Sequence, residues 1–165
     1  MKKFLLTLLL LPLYVAVHAQ DIHVGVEGSR FFTGDNYWQG AVVGSYTKQL
    51  PWYLAFDVDA SLYYQHYDNS AVVGTSATSS QTFGGSVGVN GILKLAGPLS
   101  LFTGPKATCN FVQKDYGGHR ASLQWRLGLG ADFNRIRVRA SWDTLITEQS
   151  GGKGSAVSVS VALRL

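Results

Sequence analysis

A single cysteine, Cys109, excludes any internal disulfide, although small secreted soluble domains often depend on several. Charge is also scarce. Asp, Glu, Lys and Arg make up 15% of the 165 residues, against about a quarter in an ordinary globular domain, which argues against a fully wetted exterior. Beyond the N-terminal segment no apolar run approaches the roughly 20 residues of a membrane-spanning helix. If the chain crosses a bilayer, it does so with strands. A basic excess is missing too. The formal charge of +4 includes Lys2 and Lys3, so the remainder is nearly balanced and gives no reason to expect nucleic acid as a partner.

The N-terminus reads MKKFLLTLLLLPLYVAVHAQ. Lys2 and Lys3 form a basic start, Phe4 to Val17 is apolar, and Val17-His18-Ala19 is a small-residue cleavage site. Residues 1–19 are therefore expected to be a cleaved secretory signal peptide, and 20–165 the mature chain. The apolar run is too short for an anchor and is interrupted by Pro12.

What the mature chain has in abundance is period-two alternation. In ASLQWRLGLGADF the apolar set is Ala121, Leu123, Trp125, Leu127, Leu129, Ala131 and Phe133, and polar or small residues lie between. That pattern is a strand with two unlike faces. It recurs over 22–29, 38–46, 52–64, 84–95, 99–111, 136–143 and 157–165. Eight strands of about ten residues result, the length a tilted strand needs to cross a bilayer. Val43, Ile92 and Phe102 break the pattern as apolar residues on the polar face. Pro105, which has no N–H to donate, predicts a local bulge.

The connections alternate as well. KQLP (48–51), AGP (96–98) and NR (134–135) are tight. Except for TGDN (33–36), the others are long and polar: 68–81, 112–120 and 147–155. Short periplasmic turns alternating with longer extracellular loops are the rhythm of an outer-membrane meander, with both termini on the periplasmic side.

A soluble eight-stranded cup has the same periodicity, so three further features decide. The polar face is crowded with small residues (Gly25, Ser29, Gly84, Ser86, Gly88, Gly128, Gly130, Ser158, Ser160), which suit a narrow lumen better than a wet exterior. Aromatic residues mark the ends of the apolar face: Tyr46, Trp52 and Phe133 near the turns, Trp38, Tyr64 and Trp142 near the loops. From Trp52 to Tyr64 the chain covers about 30 Å along the barrel axis at ~3.3 Å per residue and ~40° tilt, the separation of two interfacial girdles. The loop and turn asymmetry is the third. The expected fold is an all-β, eight-stranded antiparallel up-and-down transmembrane barrel.

On this pattern the mature chain resembles the small eight-stranded outer-membrane barrels of the OmpX/OmpA transmembrane type. It is most similar to the outer-membrane β-barrel proteins of Bacteroidota, in which a signal peptide ending before Gln is common. The resemblance implies insertion by the outer-membrane assembly machinery, whose signal is an alternating C-terminal strand usually ending in an aromatic. SVSVALRL alternates but ends in Leu165. The resemblance speaks to fold far more than to function.

Little in the sequence points to catalysis. GGKGS (151–155) is not a phosphate loop, because the first Gly of that motif would fall at Thr147 and Lys153 precedes Gly154 rather than Ser or Thr. Cys109 has no ligand cluster and reads as a lipid-facing or packed thiol. Some barrels of this size remodel lipid A with His, Ser and a carboxylate. Of His23, His66 and His119, only His66 falls at outer-leaflet height, near Asp68, and no His-x-Ser pairing accompanies it. No enzyme, metal or cofactor is expected. Three hypotheses remain: a structural or loop-mediated surface-interaction protein, a narrow porin-like passive channel, and a lipid A-modifying enzyme.

Two groups of charged residues stand out. At the outer rim, Arg30, His66, Lys114 and Arg120 are expected to meet lipid headgroups and lipopolysaccharide phosphates. In the lumen, Glu27, Asp57 and Asp59 come early in the chain and Lys106, Arg126, Arg137 and Arg139 come late. Barrel closure sets these groups face to face. They are expected to form a cross-barrel salt-bridge network with Glu27, Asp59, Lys106, Arg126 and Arg139 near mid-height and Asp143 above. A lumen so filled is expected to be plugged, in a monomer whose loops carry any extracellular ligand.

Overall fold

The computed structural model describes residues 21–33, 35–68, 79–113, 121–146 and 155–165. Residues 1–20, which include the expected signal peptide, and Lys114, His119, Arg120 and Lys153 lie outside them. The described chain forms a closed barrel in which each strand pairs with its sequence neighbours and the last pairs with the first. The strands are β1 (Ile22–Thr33), β2 (Asp35–Gln49), β3 (Leu54–Asp68), β4 (Ser79–Lys94), β5 (Leu99–Gln113), β6 (Ala121–Phe133), β7 (Ile136–Leu145) and β8 (Ser155–Arg164). All pairings are antiparallel. Eight strands close with an interior just wide enough for side chains to fill.

The strands run longer than the alternation suggested, reaching 16 residues in β4. Pairing persists past the last apolar residue, because a closed sheet satisfies backbone groups whatever the side chains. TGDN is mostly strand for the same reason, with β1 ending at Thr33 and β2 starting at Asp35. Conversely, β3 starts at Leu54, two residues after its expected start at Trp52. Trp52 (φ 67°) and Tyr53 (φ 64°) both adopt the left-handed conformation and make the turn. That region costs an L-residue about 1–2 kcal/mol. Gly97 (φ 64°) and Asn134 (φ 50°) enter it in the two other turns at this end, where Gly and Asn tolerate it.

The expected bulge at Pro105 is displaced. Pro105 pairs in register with Trp125 on the β6 side. On the β4 side the ladder lapses between Gly88–Lys106 and Gly91–Thr103, then resumes with register unchanged. The register shift falls instead between Phe83 and Gly84. A missing N–H removes one bond without inserting a residue, so the ladder need not slip.

The faces are inverted relative to a soluble barrel. Outward positions carry Val26, Val42, Leu62, Val87, Leu127, Leu129 and Val161, all exposed. Inward positions carry Glu27, Gln39, Asp57, Asp59, Asn90, Lys106, Arg126 and Asp143, all buried. An apolar exterior around a polar interior is the distribution of a membrane-spanning barrel. Trp125, on the outer face, donates its indole N–H to Thr103 Oγ1 at 2.9 Å, and Thr103 donates to the Arg126 carbonyl at 2.9 Å. No donor of that ring is left bare on the apolar face. The pattern-breaking Phe102 and Ile92 also find a role, packing inside with Ala55 as a small buried apolar cluster. Val43, half-buried on the inner face, lines a small void with Phe102.

The girdle aromatics point outward. At the loop end Trp38 lies 6.1 Å from Tyr64, and Trp142 stacks on Phe32 at 6.0 Å. At the turn end Tyr46 meets Phe56 edge-on at 6.4 Å and Phe133 is exposed. Trp52 departs from its expected place. It is on the turn itself, beyond the strand, and 88% exposed.

Candidate functional site

The alternation that puts apolar residues outside puts eight charged side chains into the lumen. Glu27, Asp57, Asp59, Lys106, Arg126, Arg137, Arg139 and Asp143 are each at most 9% exposed. They form two tiers.

The middle tier centres on Arg126. Its Nε donates to Asp143 Oδ1 at 3.2 Å and its Nη1 to Asp59 Oδ2 at 3.1 Å. Lys106 donates to Glu27 Oε1 at 3.1 Å and lies 3.7 Å from Asp143 Oδ2. Neutral donors complete the carboxylates: Asn90 Nδ2 on Asp59 at 2.7 Å, Ser141 on Asp143 at 3.1 Å and Ser158 on Asp143 at 3.3 Å. Gly88 makes room, since a Cβ there would sit 2.8 Å from an Asp59 carboxylate oxygen. One donor is left over. Arg126 Nη2 is 3.9 Å from Glu27 Oε2 and has no hydrogen-bond partner.

The lower tier centres on Asp57, which has no exposed surface. It accepts from Arg139 Nη1 at 2.7 Å and from Thr47 Oγ1 at 2.6 Å, and Arg137 Nη1 lies 3.5 Å away. Arg137 Nη1 donates to Thr47 at 2.7 Å, and its other two nitrogens grip Asp132 at 2.6 and 3.2 Å. The Arg139 guanidinium carbon stands 4.9 Å from the Phe102 ring centroid, a cation–π distance. Gly128 leaves space for that ring, because a Cβ there would collide with it.

Two expectations of position are therefore corrected. Arg139 belongs with Asp57 in the lower tier rather than with the mid-height group. Asp143 does not cap the network from above. It is the cross-strand register partner of Arg126 and one of its direct ligands. Asp132 and Thr47 are members that the charge pattern does not single out, though it holds a signal for them: both have inward parity, and Asp132 pairs in register with Arg137. Higher in the lumen, Ser29–Ser158, Ser61–Ser86 and Thr108–Ser122 bond as hydroxyl pairs at 2.9, 2.7 and 2.6 Å, and the Tyr63 hydroxyl donates to Asn110 at 2.6 Å.

The space remaining between the tiers is small. A void of about 20 Å³, lined by His23, Glu27, Asp59, Phe102, Arg126, Arg137 and Arg139 among others, has room for about one water molecule.

At the outer rim the strand register aligns Arg30 with Trp38 and Trp38 with His66. The His66 and Trp38 rings are 5.8 Å apart, and Arg30 is exposed. Lys114 and Arg120, the other two expected rim cations, are outside the described residues. Cys109 is an exposed free thiol on the outer face. No group of three or more His, Cys, Asp or Glu that could hold a metal occurs among the described residues.

At the level of sequence, no protein-family model and no curated protein matches this chain. Solved structures do resemble it. The attachment invasion locus protein Ail of Yersinia pestis, in complex with the heparin analogue sucrose octasulfate, superposes with a TM-score of 0.54 at 13% identity, over 88% of this chain and 97% of that one. Neisserial surface protein A gives 0.53 at 13% identity, over 88% and 96%. The outer-membrane enzyme PagL gives 0.50 at 13% identity, over 86% and 99%. At such low identity the likeness speaks to the fold: this chain has the fold of small eight-stranded outer-membrane barrels. An enzyme stands beside surface proteins among these neighbours, so function must be argued from the site.

Proposed function

We propose that this protein is a non-enzymatic outer-membrane barrel of a Gram-negative bacterium, with a plugged lumen and a structural or loop-mediated surface-interaction role. The observation that carries this reading is the lumen. Four cations and five carboxylates are paired inside it, and the void among them admits about one water. A conducting channel needs a continuous wet path, and a charge network packed this closely supports a lumen closed at its middle. The apolar exterior and the two sets of outward aromatics support residence in the outer membrane. The small-residue cleavage site before Gln20 supports a periplasmic N-terminus and a Bacteroidota-type barrel.

The chain works as a monomer inserted by the outer-membrane assembly machinery, with its termini in the periplasm and no cofactor. Its rim meets lipopolysaccharide, where Arg30, backed by the Trp38 and His66 rings, takes a phosphate. Any extracellular ligand is met by the long loops. His66 supports the non-catalytic reading, since its ring packs against Trp38 as an interfacial aromatic does.

Planar bilayers test the plug. Purified protein is expected to give no large, steady conductance, and such conductance would favour the porin-like alternative. Recovery in the soluble periplasm would remove the membrane reading. An altered lipid A acyl pattern that depends on His66 would turn the assignment to an enzyme.

A further inference from the structure

The outer wall of the barrel is not evenly convex. A groove of about 800 Å³ crosses it from β2 to β6. Gly44, Ala60, Gly85, Cys109 and Ala121 border the groove and follow one another across those five strands. Val43, Ser61, Ser86 and Thr108 border it too. Their side chains have inward parity, so they meet the groove with backbone, and bare sheet forms its floor. Val42, Leu62 and Val87 stand along it as walls. At its upper edge the Phe111 ring folds over Gly85, where a Cβ would come within 2.9 Å of a ring carbon. The outer side of β8 is built differently: Val157, Val159, Val161 and Leu163 alternate outward without a small residue among them.

The course of the groove identifies what fits it. Four strand spacings of ~4.8 Å make it about 19 Å long. Because strands in such barrels tilt by ~40°, a row running across them climbs about 12 Å, near the depth of one leaflet of a ~30 Å hydrocarbon core. It climbs toward the loops, since Gly44 is two residues above the turn-end ring Tyr46 and Ala121 is the first residue of β6. The groove therefore runs obliquely from the interior of the bilayer to its outer surface, within the apolar exterior and continuous with it. A chain anchored by its head at the outer surface takes that course. A second barrel would present a convex wall, which so narrow a slot does not admit. Inside a bilayer there is no hydrophobic gain in exchanging one apolar neighbour for another, so preference rests on close van der Waals fit. A straight slot with a rigid floor fits an extended chain and not one bent by a cis double bond.

We propose that the groove over β2–β6 is a docking site for one saturated acyl chain of an outer-leaflet lipid, distinct from the lipid that covers the β8 side. This rests on the outer-membrane reading above. The chain lies against bare backbone between Gly44 and Ala121, with Val42, Leu62 and Val87 beside it and Phe111 closing its upper edge.

The test uses the mature chain in nanodiscs of equal dimyristoyl- and dimyristoleoyl-phosphatidylcholine, which share a headgroup and chain length and differ by one cis double bond per chain. The lipid that co-purifies after detergent extraction is measured by mass spectrometry. Wild type is expected to retain the saturated lipid about fivefold over the unsaturated one, the worth of roughly ten additional carbon contacts. The A60L/A107L variant, which fills the groove from two exposed lining positions, is expected to stay folded by heat-modifiable migration and to lose the preference. So is A121L, which blocks the open end. The A140L variant, which adds the same bulk on the outer side of β7, is expected to keep it. Equal retention by wild type, an unchanged preference in A60L/A107L and A121L, or an equal loss in A140L would each overturn the proposal. Paired barrels in wild-type nanodiscs that A60L/A107L separates would give the groove to a second copy and overturn it as well. Failure of wild type to insert into nanodiscs would instead overturn the membrane reading beneath it.

Discussion

The two tiers of the lumen solve the same problem in different ways. The lower tier is balanced, with Asp57 and Asp132 against Arg137 and Arg139, and its shortest ion pairs are 2.6 and 2.7 Å. Its outer member, Asp132, is partly wetted, with a side chain 41% exposed. The middle tier is wholly buried and unbalanced. Glu27, Asp59 and Asp143 share Lys106 and Arg126, at 3.1 to 3.9 Å. In the lower tier acids and bases are equal in number, and the one wetted carboxylate, Asp132, makes one of the two shortest pairs. In the middle tier one guanidinium serves three acids and neutral donors from Asn90, Ser141 and Ser158 complete the shell. Burial makes unpaired charge expensive, so the middle tier depends far more heavily on a single residue.

That contrast can be broken most sharply at Arg126. Arg126→Ala leaves Asp59 without its cation and Glu27 and Asp143 with Lys106 alone. It is expected to destabilise the barrel by about 3–5 kcal/mol, read by urea unfolding in lipid vesicles. A loss under 1 kcal/mol would mean water enters the middle tier freely. Phe102→Ala removes the ring beneath Arg139 and hollows the apolar cluster. A cost near ~3 kcal/mol is expected, with conductance as a second readout, because the void it creates adjoins the one already present. Asp57→Asn keeps the shape but strips the charge and turns one of two accepting oxygens into a donating amide. Arg137 retains Asp132, so the loss is expected at about 1.5–3 kcal/mol, smaller than at Arg126. A larger loss at Asp57 would reverse the ranking of the tiers. Asp132→Asn is expected to cost about 1 kcal/mol or less and to lose most of that in high salt. Salt-insensitivity there would show the lower mouth to be closed to solvent.

Much of this was legible in the sequence, because a strand has a strict period and a barrel has only two sides. Parity alone placed all eight lumen charges inside and the girdle residues Trp38, Tyr46, Tyr64, Phe133 and Trp142 outside. Partnership was harder to read. Which acid meets which base depends on strand stagger around the closed sheet, and stagger is fixed by turn geometry. The left-handed Trp52 and Tyr53 removed two residues from the start of β3, a conformation no propensity suggests for such side chains. Without that stagger Arg139 reads as a mid-height residue. Thr47 carries no charge to flag it in the sequence, although it bridges Arg137 and Asp57. Pro105 announced a disturbance correctly but not its form. Proline dictates a missing bond, whereas the register shift at Phe83/Gly84 has no sequence mark of its own.

The Ser29–Ser158 hydroxyl pair joins β1 to β8 across 129 residues of chain. Such a contact is about as non-local as a chain of this length allows, and non-local pairings form slowly because loop closure must come first. Until the last strand meets the first, no lumen separates Glu27 on β1 from water, and the side chains that converge on it have no shared interior. Folding therefore couples two events. The final backbone ladder and the dehydration of the charge network arrive together, so a lesion in β8 that touches no charged residue should still delay the burial of every one of them.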